Sequence, residues 1–282
     1  MTMTQKNNIL KRPHKKPILW DAFFNATNTQ KPLVIFCHGY KGFKDWGAWD
    51  LVAEAFSEAN LFFVKFNFSH NGGTMDQPID FPDLEAFADN NYSKELEDLD
   101  ALIKFLHSTS NPFQAEINPN KLIVIGHSRG GGIATIKASE DQSITQLITW
   151  ASVSDFGRRT ATSGELEQWK KDGVKYVLNG RTKQEMPHNY QFYEDFKANE
   201  SRLNIEKAVK NLKIPHLIIH SREDPSVAYN EAEELHSWNP KSILFPIENS
   251  DHVFGASHPW LKDDLPKPLK TVIQKSIAFI NT

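Results

Sequence analysis

The segment 122–132 constrains the fold of this 282-residue chain more than any other stretch. The apolar run Lys121–Ile125 leads into Gly-His-Ser-Arg-Gly at positions 126–130, and two more glycines follow. A short continuous apolar run predicts a strand that is buried on both faces. Glycines at 126 and 130 allow a strand and the following helix to approach closely. The segment therefore predicts a strand, a sharp turn at Ser128 and a helix.

Apolar runs and amphipathic stretches alternate along the rest of the chain. Strands are predicted at Pro17–Ala26, Leu33–Cys37, Leu61–Phe68, Lys121–Ile125, Ile144–Trp150, Pro215–His220 and Ser242–Ile247. Helices are predicted at Trp46–Ala59, Ser93–His107, Gly130–Ser139, Val227–Trp238 and Leu265–Ile280, with Ser93 as a capping residue. This order predicts an α/β fold with a mostly parallel, doubly wound sheet.

Residues 155–210 break the alternation. They are polar and contain no convincing strand, but they carry a group of aromatic residues: Trp169, Tyr176, Tyr190, Phe192, Tyr193 and Phe196. A stretch of roughly 55 residues could barely hold a core of its own. We therefore expect residues 1–154 and 211–282 to form one core, with 155–210 as a small helical cap inserted into it. The cap aromatics could form a pocket or simply pack within the insertion.

Composition and charge exclude several classes of protein. The net charge of −3 gives no basic field for nucleic acid or an anionic membrane, so neither is an expected partner. The lone Cys37 excludes an internal disulfide framework and is expected to be a small buried hydrophobe. Apolar runs are too short to span a membrane, and residues 1–8 lack the apolar core of a secretory signal. The chain is therefore expected to be cytoplasmic, with the basic residues 11–16 forming a solvated lead-in.

Ser128 is the candidate nucleophile. The Gly-x-Ser-x-Gly spacing at 126–130 is typical of a nucleophile elbow, a strained strand-to-helix turn that lifts the serine Oγ above the sheet. The turn also places the serine at a helix N-terminus, where unpaired N–H groups stabilise negative charge. The structural alternative is a glycine-rich turn that carries an inert serine.

These motifs resemble the α/β-hydrolases over nearly the whole chain. The resemblance is closest to small esterases, including cinnamoyl (feruloyl) esterases, and to serine-aminopeptidase-like branches. It is carried by His38-Gly39-Tyr40, by the elbow Gly126–Gly131 and by the insertion 155–210. It implies a mostly parallel, eight-stranded-type sheet with a cap, and a catalytic triad in the order Ser, acid, His.

The resemblance also assigns an acid and a base. Asp224 stands at the acid position after a predicted strand, with Glu223 as a rival and Glu248 as a weaker one. His252 stands at the position of the base that takes the Ser128 proton, and His258 is the alternative. His216 and His220 lie four apart on a predicted strand and are not expected to bind a metal.

The oxyanion hole is assigned to two backbone N–H groups, those of Arg129 and Tyr40. The loops Lys41–Trp46 and Asn67–Gly73 could border the pocket or be plain surface. Single arginines in the insertion, at 158, 159 and 181, could bind a substrate carboxylate but are expected to be solvated charges. The related dienelactone hydrolases use a cysteine nucleophile, so Ser128 disfavours that subclass.

The sequence thus predicts a serine hydrolase that cleaves carboxylic esters through an acyl-enzyme on Ser128, without cofactor or metal. The expected partner is a small-molecule ester, or a short peptide or amide. An aminopeptidase or acyl-peptide hydrolase of the same fold is the alternative enzyme, because one triad serves many reactions. A non-catalytic ligand-binding protein on this fold is the alternative from another class. The oligomeric state stays open.

Overall fold

The computed structural model describes residues 2–27, 29–160 and 165–282. It contains ten strands among these residues: β1 (Thr2–Arg12), β2 (Lys15–Asn25), β3 (Lys31–Cys37), β4 (Phe62–Phe66), β5 (Ile117–His127), β6 (Ile144–Trp150), β7 (Val174–Leu178), β8 (Glu185–Asn189), β9 (His216–Ser221) and β10 (Ile243–Ile247). Eight of them form one sheet in the order β1-β2-β4-β3-β5-β6-β9-β10. The six strands from β4 to β10 in that order run parallel, which confirms the predicted mostly parallel sheet.

Helices cover both faces of this sheet. Their bounds are α1 (Trp49–Glu58), α2 (Leu84–Ala88), α3 (Tyr92–Leu106), α4 (Arg129–Glu140), α5 (Gly157–Thr160), α6 (Leu166–Asp172), α7 (Gln191–Ala198), α8 (Ile205–Asn211), α9 (Asn230–Trp238) and α10 (Lys267–Ile280). Side chains on β3 alternate between two apolar clusters. Leu33 and Ile35 pack with α3, α4, α8 and α9, whereas Val34 and Phe36 pack with α1 and α10. The predicted doubly wound α/β architecture is therefore confirmed.

The N-terminal residues form an edge strand. The basic residues 11–16 are mostly exposed, as expected, but they join β1 to β2 and are not a lead-in. β1 pairs antiparallel with β2, and β2 pairs antiparallel with β4. Most side chains of β1 are exposed, which gives the strand little apolar periodicity. Backbone hydrogen bonds hold an edge strand without apolar side chains, so its sequence carries a weak signal.

The capping residue of α3 also differs from the expectation. Asn91, not Ser93, is the N-cap residue of α3, and its side-chain oxygen accepts a hydrogen bond from Lys94 N at 2.8 Å. Both residue types cap helices well, so composition alone does not separate them.

The insertion at 155–210 contains a β-hairpin as well as helices. β7 and β8 pair antiparallel in a separate two-stranded sheet, so the expectation that this stretch holds no strand is wrong. Each strand has five residues and β8 contains Pro187, which leaves a weak β signal. Residues 161–164 of the insertion lie outside the described ranges. Phe192 and Phe196 of α7 belong to the same apolar cluster as the sheet, so the insertion packs onto the core.

In the part of the chain that the structure describes, no helix is both long enough and apolar enough to cross a bilayer.

Candidate active site

Ser128 occupies a strained turn between β5 and α4. Its φ of 57° and ψ of −123° are rare for a residue with a side chain. Hydrogen bonds to the ends of neighbouring segments hold this conformation. Ser128 N donates to Trp150 O at 3.0 Å, and the Ser128 carbonyl accepts from Gly131 N at 3.0 Å and from Val153 N at 3.3 Å. The turn raises Ser128 at the carboxyl edge of the parallel strands, where open α/β sheets carry their sites.

Close backbone contacts explain the glycines around this serine. A Cβ atom on Gly126 would lie 2.3 Å from the carbonyl oxygen of Gly130, and one on Gly130 would lie 2.4 Å from that of Cys37. A Cβ atom on Gly39 would lie 2.8 Å from the Cβ of Ser128. Helix α4, strand β5 and the loop after β3 therefore meet around Ser128, with no room for a methyl group at these positions. Cys37 itself is fully buried, as expected for a small hydrophobe.

Asp224 and His252 form a hydrogen-bonded pair. Asp224 lies in the turn after β9 and His252 in the loop after β10, and His252 Nδ1 lies 2.7 Å from Asp224 Oδ2. The other carboxylate oxygen of Asp224 accepts hydrogen bonds from Ser226 N at 2.8 Å and Val227 N at 2.9 Å. These hydrogen bonds hold the Asp224 carboxylate in one orientation, and the carboxylate in turn orients the His252 ring.

The protonation of this pair follows from its surroundings. Burial opposes ionisation of Asp224, but hydrogen bonds from His220 and His252 and from the backbone outweigh it and lower the pKa of Asp224 well below its usual value. An ionised carboxylate only accepts hydrogen bonds, so His252 Nδ1 carries the proton of the pair. Nε2 is then the ring nitrogen that is available to take a proton.

The rival residues have other contacts. His258 Nδ1 accepts a hydrogen bond from Gly47 N at 2.8 Å, and its ring packs against Phe43 and Trp46. Glu248 pairs with Arg222 on the surface at 2.7 Å, and Glu223 is exposed. None of the three rivals lines the cavity that contains Ser128 and His252.

The loop after β3 brings Tyr40 beside the same cavity. The Tyr40 N–H donates to no described residue, and the Arg129 N–H is the first of α4, a position without an intrahelical partner. His38 supports the loop, because its Nε2 accepts a hydrogen bond from Phe68 N at 3.3 Å. Burial lowers the pKa of His38 to about 4, so its ring is neutral and suited to this role.

The cavity has a volume of about 520 Å³. Core loops and the insertion both line it, and the residues are Tyr40, Lys41, Ser128, Arg129, Val153, Arg159, Thr160, Lys175, Val177, His188, Phe192, Ser226, Val227 and His252. A hydrogen bond of 2.9 Å between Tyr40 Oη and His188 Nε2 joins the loop after β3 to strand β8 of the insertion. This volume suits a small organic molecule.

Sequence reasoning named Tyr40, Ser128, Arg129 and His252 but missed the lining residues of the cap hairpin. Lys175, Val177 and His188 belong to β7 and β8, and no sequence signal placed that hairpin over the site. Of the cap aromatics, Phe192 lines the cavity, whereas Phe196 and Trp169 are buried in the apolar cluster.

Arg158, Arg159 and Arg181, the arginines considered as carboxylate binders, are each paired with a protein carboxylate. Arg158 contacts Glu234 at 2.9 Å, Arg159 Nη1 contacts Glu231 at 3.0 Å, and Arg181 contacts Asp80. Of these arginines, only Arg159 lines the cavity.

One group of carboxylates among the described residues is compact enough to suggest a metal site. Oxygens of Asp21, Asp45 and Asp50 lie within 4.8 Å of one another. The Lys44 and Lys65 ammonium groups both lie 2.9 Å from Asp21 Oδ2 and 2.6 Å from Asp45 oxygens. Lys6 contacts Asp50 as well, so three lysines balance the three carboxylates and the group is an ion-pair cluster.

Solved structures with similar folds extend over almost the whole chain. Est1E from Butyrivibrio proteoclasticus, solved with ferulic acid bound, is 18% identical with a TM-score of 0.72 and 94% of each chain covered. A dienelactone hydrolase from Anabaena variabilis is 14% identical, with a TM-score of 0.63 and coverage of 99% of this chain and 97% of that one. The alpha/beta hydrolase GrgF from Penicillium is 13% identical, with a TM-score of 0.69 and coverage of 100% and 98%.

A comparison with curated proteins finds no match. Among family models, that of BD-FAE matches residues 81–239, more than half of the chain, from α2 through the Ser128 turn to the helix after Asp224. Since the family model matches more than half of the chain and the similar solved structures cover almost all of it, the chain belongs to the BD-FAE family and has the α/β-hydrolase fold.

Proposed function

We propose that the protein is a serine hydrolase that cleaves carboxylic esters through an acyl-enzyme on Ser128. The observation that carries this proposal is the Asp224–His252 pair, joined at 2.7 Å, on the wall of the cavity that contains the strained Ser128. A serine, an imidazole whose Nε2 can take a proton and an ionised carboxylate behind it are the components of a catalytic triad.

In the proposed mechanism, Ser128 Oγ attacks the ester carbonyl and His252 Nε2 takes the hydroxyl proton. Asp224 holds the Nδ1 proton and stabilises the imidazolium that forms. The N–H groups of Arg129 and Tyr40 stabilise the oxygen that becomes negative, and loss of one such donor typically costs about 10²–10³ in rate. His252 then protonates the departing alcohol. Water, activated by the same ring, releases the acid from Ser128.

The cavity favours a small ester over a polymer. Its volume of about 520 Å³ lies in the range of drug-sized ligands, and Tyr40, His188 and Phe192 give it an aromatic wall. The ferulic acid in the Est1E structure is an aromatic acid, which supports aromatic esters as candidates for this chain.

Residues 155–210 act as a cap in this proposal. Six of the cavity-lining residues come from this segment: Arg159, Thr160, Lys175, Val177, His188 and Phe192. Substrate size would then be limited by the β7–β8 hairpin and α7 more than by the sheet.

The test is hydrolysis of 4-nitrophenyl acetate and butyrate by the wild type and by Ser128→Ala. We expect the variant to lose activity by about 10⁴-fold or more, because the covalent route is removed. Ser139→Ala, eleven residues further along α4, is the matched control and keeps wild-type turnover. Equal turnover by Ser128→Ala and the wild type would overturn the proposal.

A further inference from the structure

The cavity beside Ser128 carries an excess of positive charge. Four basic residues line it, Lys41, Arg129, Arg159 and Lys175, and no Asp or Glu does so among the described residues. A cleft lined by one sign of charge with apolar walls attracts ligands of the opposite sign. The question is how far carboxylates behind the wall neutralise these cations.

Arg159 is the cation with the strongest counter-charge. Its guanidinium contacts both carboxylate oxygens of Glu231, a buried residue, and Arg159 Nη1 lies 3.0 Å from Glu231 Oε2. Bidentate pairs of this kind occupy the guanidinium fork. We therefore assign Arg159 to the cavity wall and not to ligand binding.

Arg129 is neutralised weakly. Its only hydrogen bond to a described carboxylate runs from Nη1 to Glu95 Oε1 and is long, at 3.5 Å. Glu95 Oε1 also accepts a hydrogen bond from Asn90 at 2.7 Å, and Glu95 Oε2 is buried with no hydrogen-bond partner. Burial raises the pKa of Glu95, which weakens it further as a counter-ion. Its other neighbours include the rings of Tyr40, Tyr92 and Phe192, which carry no formal negative charge.

Lys41 and Arg129 both place their charged groups next to the Tyr40 ring. The Arg129 guanidinium lies 4.4 Å and the Lys41 Nζ 5.0 Å from the centroid of the Tyr40 ring. Among the described residues Lys41 contacts no carboxylate, and its Nζ donates a long hydrogen bond of 3.4 Å to Leu178 O. Burial and the charge of Arg129 lower the pKa of Lys41. Two cations therefore share one wall with no carboxylate between them.

The pKa of His188, whose ring is hydrogen-bonded to Tyr40, is affected by the same positive charges. Burial lowers the pKa of His188 to about 3, and the charges of Arg129, Lys175 and Lys41 add to the effect. The imidazole stays neutral, so it adds no positive charge of its own. Its Nδ1 donates to Met186 O at 3.1 Å, and its Nε2 therefore accepts the hydrogen bond from the Tyr40 hydroxyl.

We propose that the substrate ester carries a carboxylate, which Arg129 and Lys41 bind beside the Tyr40 ring while the ester carbonyl lies at Ser128. The planar fork of an arginine matches a carboxylate, and an ammonium group beside it completes the neutralisation. The proposal rests on the proposed esterase function and specifies its substrate class. The preferred substrates are monoesters of dicarboxylic acids, or esters whose alcohol or acid part bears a free carboxylate.

Binding can be measured separately from turnover in the Ser128→Ala protein. The ligands are monomethyl adipate, which carries one carboxylate, and dimethyl adipate, which has the same chain and no charge. Calorimetric titration is expected to give a Kd at least about tenfold lower for the monoester, the size of a charge-assisted hydrogen bond. Lys41→Gln in the same background is expected to remove most of that difference, and Lys41→Arg to keep it.

The matched control is Lys241→Gln, which removes one exposed positive charge before β10, at the other end of the strand from His252. It should leave the preference for the monoester unchanged. Equal affinity for the two esters, or equal effects of Lys41→Gln and Lys241→Gln, would overturn the carboxylate proposal.

A kinetic comparison distinguishes this failure from failure of the proposed function. The wild type is given the 4-nitrophenyl monoester of adipic acid and the methyl ester of that compound. Faster turnover of the charged ester supports both proposals. Ser128-dependent turnover of both esters without preference overturns the carboxylate site and leaves the esterase standing. No turnover of either ester, together with Lys41-dependent binding of monomethyl adipate, supports the carboxylate site and overturns the esterase.

Discussion

The residues around Ser128 show how surrounding contacts hold a strained backbone at the proposed nucleophile. The φ of 57° at Ser128 is held by hydrogen bonds from three segments, and Gly39 lies against the serine side chain. Such strain persists only where surrounding contacts over-determine it. The local motif predicted this turn because glycine spacing encodes close backbone approach directly. Lys41 and His188 carried no comparable signal, since their roles depend on which segments meet in space.

Asp224→Asn tests the orientation of the imidazole. An amide at this position can donate to His252 Nδ1, which favours the tautomer with its proton on Nε2 and removes the base. We expect kcat for a neutral ester to fall by about 10³–10⁴-fold with little change in KM. Glu223→Gln, a change at the exposed neighbour, serves as the control. Similar losses in the two variants would argue against Asp224 as the acid.

Gly39→Ala tests the contact between the oxyanion loop and the nucleophile. The added methyl group would lie 2.8 Å from the Cβ and 3.3 Å from the Oγ of Ser128, so the loop carrying Tyr40 must move. We expect kcat to fall by about 10²-fold, the cost of one displaced oxyanion donor. Gly180→Ala adds the same group where nothing lies within 4 Å and should keep activity. Wild-type kcat in Gly39→Ala would contradict the assigned loop geometry.

At the scale of elements, the strands that the sequence predicted well are the buried parallel ones. Ile144–Trp150 matches its predicted bounds, because a continuous apolar run marks a strand covered on both faces. Strands β1, β7 and β8 were missed. β1 is an edge strand with mostly exposed side chains, and β7 and β8 are five-residue strands of a two-stranded hairpin. Backbone hydrogen bonds hold these three strands in place, and the pattern of their side chains therefore predicts them poorly.

The ion-pair cluster of Asp21, Asp45, Asp50, Lys44 and Lys65 links strand β2 to strand β4. Lys65 Nζ on β4 contacts Asp21 on β2 at 2.9 Å and Asp45 at 2.6 Å, and its side chain is fully buried. The same Nζ donates to Lys44 O at 2.9 Å, which ties the loop after β3 to the sheet. No sequence spacing indicated this cluster, since its members lie on three separate segments.

Lys65→Met is expected to destabilise the fold strongly. Removing one partner of a buried ion pair leaves uncompensated carboxylates, and the usual cost is about 3–5 kcal/mol in the free energy of unfolding. Urea denaturation monitored by tryptophan fluorescence measures it. Lys104→Met removes an exposed lysine paired with Asp100 on α3 and should cost less than about 1 kcal/mol. Comparable losses in the two variants would show that burial does not strengthen the cluster.

For the whole molecule, the sequence predicted the sheet and the order of its site residues but not the shape of the cavity. Positions 128, 224 and 252 follow three parallel strands, so one sheet must bring them to one edge. The cavity instead depends on how the insertion packs onto the core through Phe192 and the bond between Tyr40 and His188. Long-range packing of a short hairpin leaves no periodic trace in the sequence.

The central claim, that Ser128 is an activated nucleophile, is tested most directly by covalent labelling. The folded protein is treated with a fluorophosphonate probe, digested, and analysed by mass spectrometry. The account predicts one adduct, on the peptide that contains Ser128, with labelling abolished in Ser128→Ala and strongly slowed in Asp224→Asn. An unlabelled folded protein, or an adduct on another serine, would contradict it.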